Sequence, residues 1–369
     1  MNGDRLKRAR EINGWTQEEL ADIVDVKQAA ISRIEQNLLE PSEQLAATIA
    51  KETGFPLPFF YEDTKIDFPL GSLLYRQHQS LTTRERDQIL QTAWAAYILY
   101  DFMAGKMKLM PLRLPRIQNE DTKTLAELTR DALGIEPNKP IRNLINRLEK
   151  AGVVVLAIPL EIHGHDAFSL WADRRAVIVI DTGKPGDRQR DTVAHEMGHL
   201  VQHYSLTGGD VEQEADDFAR ELLLPEEAIR EEITTPVTLS RLAELKARWG
   251  VSIQVLIDRA FSLKIISVDQ KKYLNKQMTR HGWRHNEPVE IEPERPRALR
   301  KMAELLYGLK TGGINYQKLA RDTSLPVSLV GHILYVHSTD GTKAKTPGEL
   351  AVFPSKNEEK NPYALKLVG

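Results

Sequence analysis

The stretch Thr192-Val193-Ala194-His195-Glu196-Met197-Gly198-His199-Leu200-Val201 decides how the rest of the chain is read. Read as one short helix, it sets two histidines four residues apart on a single face, so both imidazoles can reach one ion. Glu196 sits beside them with a carboxylate able to take up a proton. Val193, Met197, Gly198 and Leu200 are uncharged, as expected of a helix buried under a reactive site, where an unpaired charge would be costly.

An H-E-x-x-H helix binds zinc through its histidines and uses the glutamate as a general base that passes its proton to the leaving amine. The plain alternative is a solvated helix that happens to carry two histidines and an acid. A third ligand separates the two readings, because a catalytic zinc takes three protein ligands. The next helical stretch, Val211 to Pro225, turns Ala215, Phe218, Ala219, Leu222 and Leu223 to one side. Glu212 lies on that side near the N-terminal end and is the candidate third ligand.

Together, H-E-x-G-H and the following E-x-x-A-D-x-F-A-x-x-L-L-x-P resemble the ImmA/IrrE family of metallopeptidases, and the resemblance extends from the N-terminus to about Pro288. It implies zinc held by His195, His199 and Glu212, with Glu196 as the catalytic base. Asp216 would then orient one of the histidines without touching the metal. Glu214 competes with Glu212. His203, one turn further along the helix, is expected to pack or to support a ligand, and His163 and His165 are weaker candidates for polarising a scissile carbonyl.

With 369 residues the chain is too long for one core, so several domains are expected. The net charge of −2 gives no global pull toward nucleic acid or membrane, and any DNA contact must rest on a local patch. There is no cysteine, which excludes disulfides and thiolate metal sites and fits a reducing cytoplasm. No signal peptide or membrane-length apolar run is apparent, so a cytoplasmic protein without a membrane partner is expected.

The first sixty residues read as an all-helical module. Leu6, Ala9 and Ile12 mark one helix ending at Asn13-Gly14, and Thr16 with Glu19 forms a capping box for a second. A third helix buries Ile31 and Ile34, and a fourth follows Pro41-Ser42. The string T-Q-E-E-L-A-x-x-V followed by A-I-S-R-I-E-x-N resembles the XRE-type helix-turn-helix family. That resemblance implies a recognition helix facing DNA with Gln28, Ala29, Ser32 and Arg33, while Gln17 grips a phosphate. A protein-binding helical bundle is the alternative, since acids outnumber bases in this module.

The residues that follow read as a helical region around Trp94, which is also the candidate dimerisation seam. Two helices, a Val153–Ile158 strand and a hairpin of 168–172 with 176–180 then precede the metal helix. The resemblance to the family fold implies Ala176–Ile180 as the edge strand that would align a substrate, with a plain structural hairpin as the alternative. Glu287 to Pro296 reads as a charged, proline-rich linker leading to a small helix-turn-helix-like cap and a polar tail.

The expected fold class is α+β and mostly helical, combining an all-α helix-turn-helix domain, a zincin-like peptidase domain with a small β-sheet and a helical C-terminal region. The boundaries are 1–62 for the DNA-binding domain, 63–120 for a helical linker region, 121–286 for the peptidase, and 287–369 for linker, cap and tail. The function expected from the two resemblances is a DNA-binding transcriptional regulator with a zinc-dependent endopeptidase domain. It would bind an operator as a dimer and cleave a partner helix-turn-helix regulator or antitoxin, or itself, in a stress, prophage or toxin-antitoxin circuit. Two alternatives remain: a transcription factor whose peptidase-like domain is a non-catalytic sensor or interaction module, and a general peptidase that docks a protein through its first module.

Overall fold

The computed structural model describes residues 1–63, 82–117, 120–158, 167–181, 183–202, 210–284 and 286–338. These fall into two units, one drawn from 1–63, 82–102 and 302–338, the other from 103–301.

In the first unit, α1 (Gly3–Ile12) is capped by the Asn2 side chain, and α2 (Gln17–Ile23) opens on the Thr16/Glu19 capping box. α3 (Gln28–Glu35) follows, then α4 (Glu43–Thr53), which starts at Ser42 and stops at left-handed Gly54. Leu6, Ala9, Leu20, Ile31, Ile34 and Ile49 fill the interior and are inaccessible to solvent. A 3-10 turn, Leu57–Tyr61, adds Phe59 and Phe60. α5 (Thr83–Ala104) is apolar nearly all round from Ile89 to Tyr100, the signature of an enclosed helix. Its Trp94 ring lies edge-on to Phe59, and the Arg8 guanidinium stacks 4.4 Å from the Trp94 centroid. Gln91 donates to Glu11 at 3.0 Å and Gln88 to the Ile12 carbonyl at 3.1 Å. Trp94 is therefore core rather than an open seam. In the same unit, α14 (Ala298–Tyr307) precedes the pair α15 (Tyr316–Asp322) and α16 (Val327–Val336), whose Leu329, Val330, Ile333 and Leu334 are buried.

The second unit is a small sheet flanked by helices. α6 (Thr122–Ala132) and α7 (Leu144–Lys150) precede β1 (Val154–Ala157), β2 (Ala167–Ala172) and β3 (Arg175–Ile180). The hairpin forms as expected, closed by Ala172 opposite Arg175. The strand order β1-β3-β2 corrects the expected edge: β3 is central, parallel to β1 and antiparallel to β2. Five consecutive buried residues in β3, Ala176 to Ile180, explain this, because a strand covered on both faces has no polar side to turn outward. Among the described residues β1 and β2 are the two edge strands, and in β2 half-buried Ser169 and Trp171 alternate with buried neighbours.

α8 (Gly186–Gln202) packs against β2 and β3 on one side and α9 (Val211–Leu223) on the other. α10 (Glu226–Glu232), α11 (Leu239–Trp249), α12 (Ile253–Ser262) and α13 (Val268–Arg280) complete the unit. Residues 287–297, whose composition suggests a linker, instead form a strap over it. Glu287 accepts from Lys246 Nζ at 2.8 Å and from the Ile253 N–H at 2.9 Å. Glu294 pairs with Arg190 at 2.6 Å and accepts from the Ile145 N–H at 2.7 Å. The Ile291 carbonyl receives the Gly186 N–H at 2.8 Å, and a Cβ at Gly186 would fall 2.3 Å from the Glu292 oxygen. The acids of the strap have long-range partners that local composition does not reveal.

A buried, two-bond ion pair of the N-terminal module is Arg10–Glu35, with Nε to Oε1 at 2.6 Å and Nη2 to Oε2 at 3.1 Å. Removing one partner of such a pair costs about 3–5 kcal/mol, whereas replacing both with apolar groups costs far less. Arg10→Met is therefore expected to speed amide exchange across α1 and α3 in the full chain, and Arg10→Met with Glu35→Leu to restore most of the protection. Equal loss in both variants would assign the effect to packing.

Candidate metal centre

α8 and α9 touch at Gly198 and Ala215. A Cβ on Gly198 would lie 2.9 Å from Ala215 Cα and 3.1 Å from its carbonyl oxygen, so the helices approach more closely than a side chain at 198 permits. The approach carries Glu212, three residues before Ala215, over the histidine pair. His195 Nε2 and His199 Nε2 are 3.1 Å apart, and Glu212 reaches each of them with one carboxylate oxygen at 3.4 Å. Ligands placed 2.0–2.1 Å from a tetrahedral ion are about 3.3 Å from one another. The two imidazole nitrogens are already near that spacing, each Glu212 oxygen is near it from one of them, and one ligand atom from each residue lies within 4.8 Å of the others. Two imidazole nitrogens and a carboxylate oxygen are also a donor set that zinc accepts. Among the described residues this cluster contains His195, His199 and Glu212 and does not include Glu214.

His195 Nδ1 lies 2.7 Å from Asp216 Oδ1, and Asp216 is in turn approached by Arg220 at 3.4 Å. An imidazole that donates through Nδ1 presents the lone pair of Nε2 to the centre. Asp216 stands where it can set that tautomer. His203, His163 and His165 lie outside the described residues.

Glu196 follows His195 by one residue, a turn of about 100° around the helix, and so leaves the α9 side for the sheet. Its side chain is buried, and the Ser169 hydroxyl of β2 donates to Oε2 at 2.6 Å. Ser169 was not among the sequence candidates. The available signal was a lone hydroxyl in the apolar strand Ala-Phe-Ser-Leu-Trp-Ala. Trp171, two residues on and so on the same strand face, carries the Arg116 guanidinium 4.2 Å from its ring centroid.

The acids around the histidines give the centre a negative character that suits a dication. Asp191, one turn before His195 on α8, feels it most: burial first, and the charge of Asp216 second, push its carboxyl up to about 6. A carboxyl raised above its unfolded value opposes folding once ionised. That cost is present above the folded pKa and vanishes as pH falls below the unfolded one. In chelator-treated protein, Asp191→Asn is expected to be more stable than the parent at pH 7 by about 2–3 kcal/mol, with the gap closing by about pH 4. Urea midpoints measured at both pH values check this, and a gap independent of pH would remove the charge explanation.

The expected DNA-facing residues gather on one surface of the N-terminal module. Gln28, Ala29 and Arg33 of α3 are exposed, and Ser32 is half-exposed and accepts from Gln36 at 3.1 Å. Gln17 donates to Glu35 at 2.7 Å, and Gln28 donates to Gln17 at 2.8 Å. A continuous run of bonds from buried Arg10 through Glu35 therefore holds the first residue of α2 against the first residue of α3.

Comparison with known families agrees with both halves. Residues 148–261 match the peptidase family M78, described as an IrrE N-terminal-like domain, and residues 6–60 match the family described as helix-turn-helix. No curated protein matches the chain. The chain thus joins an XRE-type helix-turn-helix domain to an IrrE-like domain of the M78 metallopeptidase family.

Proposed function

We propose that the protein is a cytoplasmic DNA-binding regulator whose second domain is a zinc-dependent endopeptidase. The observation that carries the enzymatic half is the joint placement of His195, His199 and Glu212 with their ligand atoms within 4.8 Å of one another and buried Glu196 beside them. His195, His199 and Glu212 would hold the ion, and Asp216 would fix the His195 tautomer. Zinc, when bound, supplies the Lewis acid that polarises a peptide carbonyl. Glu196 would take a proton from the attacking water as the C–O bond forms, then deliver it to the amide nitrogen, which leaves as the amine when the C–N bond breaks. β2, which packs against α8 and is an edge strand among the described residues, is where an extended peptide would add as a further strand.

The helix-turn-helix domain addresses the protein to an operator, with Gln28, Ala29, Ser32 and Arg33 toward the bases and Gln17 toward a phosphate. Binding as a dimer would place two copies on adjacent half-sites. The substrate we infer is a helix-turn-helix regulator or antitoxin encoded nearby, or the chain itself, in a stress, prophage or toxin-antitoxin circuit. No helix among the described residues is long and apolar enough to cross a membrane.

Purified protein is expected to hold about one zinc per chain, lost in His199→Ala and retained in Glu196→Gln. Cleavage of the neighbouring regulator should fall at least ~100-fold in Glu196→Gln. Zinc binding combined with an intact regulator, and intact parent chain, under inducing conditions would favour the sensor reading. For the first domain, Arg33→Ala should weaken binding to the protein's own promoter by about tenfold, as measured by fluorescence anisotropy. An unchanged affinity would remove α3 from the interface.

A further inference from the structure

The histidines and the glutamate of the motif leave α8 in different directions, so what aims the ligands does not aim the base. His195 turns to Asp216 and Glu212 on α9, while Glu196 turns to Ser169 on β2. We infer that Ser169 is a positioning residue of the peptidase centre: its hydroxyl holds one carboxylate oxygen of Glu196 and so fixes the aim of that carboxylate. This rests on the reading of Glu196 as the general base.

Three observations carry it. The contact has the length of a charge-assisted O–H···O bond, 2.6 Å between Oγ and Oε2, and the same hydroxyl lies 3.3 Å from the Glu196 main-chain oxygen. Ser169 is also rigidly placed, since it sits mid-strand opposite Ile178 of β3, which is itself paired to β1. Finally, Ser169 is the hydroxyl of an otherwise apolar strand, Ala-Phe-Ser-Leu-Trp-Ala, and it stands on the strand face that meets Glu196. The pairing found is with the one carboxylate the chemistry requires. A base displaced by even a fraction of an ångström loses rate, because proton transfer needs heavy atoms within about 2.6–3.2 Å.

Ser169 touches Glu196 and no reacting atom, so its role is tested through the base and independently of any protein substrate. The full chain is loaded with Co2+, whose visible absorption reports the ligand sphere, and titrated with acetohydroxamate. This probe hands its N–OH proton to a neighbouring base as it binds, so its affinity reads the aim of Glu196. Thr at 169 keeps the hydroxyl, and Val has the same shape without it. Ser169→Val is expected to weaken acetohydroxamate five- to tenfold, Ser169→Thr to stay within about twofold of the parent, and cobalt content to remain unchanged in both. In a Glu196→Gln background, Ser169→Val should cause no further loss. Parent-like affinity in Ser169→Val, or the same fold-loss with Gln at 196, would overturn the inference while leaving Glu196 as the base. Should Ser169→Val fail to hold cobalt, Ser169→Ala serves in its place with the same expectation. If Glu196→Gln alone binds acetohydroxamate like the parent, the assignment of Glu196 as the base falls, and the role of Ser169 falls with it.

Discussion

The closeness of α8 and α9 at Gly198 is the constraint on which the centre depends. Gly198 faces the backbone of Ala215, and no larger residue fits without separating the helices. Separation would carry Glu212 and Asp216 away together, since both lie within one turn of Ala215 on α9. The two acids serve different ends from the same helix face: Glu212 reaches both Nε2 atoms and Asp216 reaches Nδ1 behind them. Helix energetics favour this arrangement, because carboxylates in a first turn interact well with the positive end of the helix dipole. Asp210 caps α9 and Glu212 and Glu214 stand in its first turn, so acids suited to a cation also stabilise the helix that presents them.

The first half of α8 is held by charge. Asp187 pairs with Lys246, which also meets Glu287, and Arg190 pairs with Glu294 and donates to the Ile141 carbonyl at 2.7 Å. Buried pairs of this kind contribute little net folding energy, because desolvation offsets most of their attraction. Their consequence is geometric. Each fixes the helix to a different neighbour, so its rotation about its own axis is set before the motif begins. That rotation decides whether the histidines meet α9 and Glu196 meets β2.

The histidine pair and the acid motif were legible in sequence because both are local patterns at helical spacing. The capping box at Thr16 and Glu19 and the hairpin across Asp173 and Arg174 were legible for the same reason. What escaped was set by residues distant in the chain. The unbroken apolar run Ala176–Ile180 is what a central strand requires, but the strands that flank it are fixed only by the fold. Glu287 and Glu294 read as linker charge because their partners, Lys246 and Arg190, lie tens of residues or more away. Ser169 has no meaning as a serine in a strand until Glu196 is seen beside it. Trp94 lay in a stretch apolar on every face, a pattern that points to an enclosed helix rather than an exposed seam.

The separation of the base from the ligands bears on what the second domain is for. A sensor that only binds a metal needs His195, His199 and Glu212, with Asp216 to orient the first of them. Such a site makes no use of a buried carboxylate turned about 100° away from the first histidine. Burying Glu196 carries a desolvation cost that the bond from Ser169 offsets in part. Neither residue contributes a ligand, so the aim of that carboxylate calls for another use. Proton transfer to and from a reacting group is such a use, and it depends on position more steeply than metal binding does. The pairing of Glu196 with Ser169 is thus a feature that the proposed peptidase chemistry would use and that holding a metal does not require.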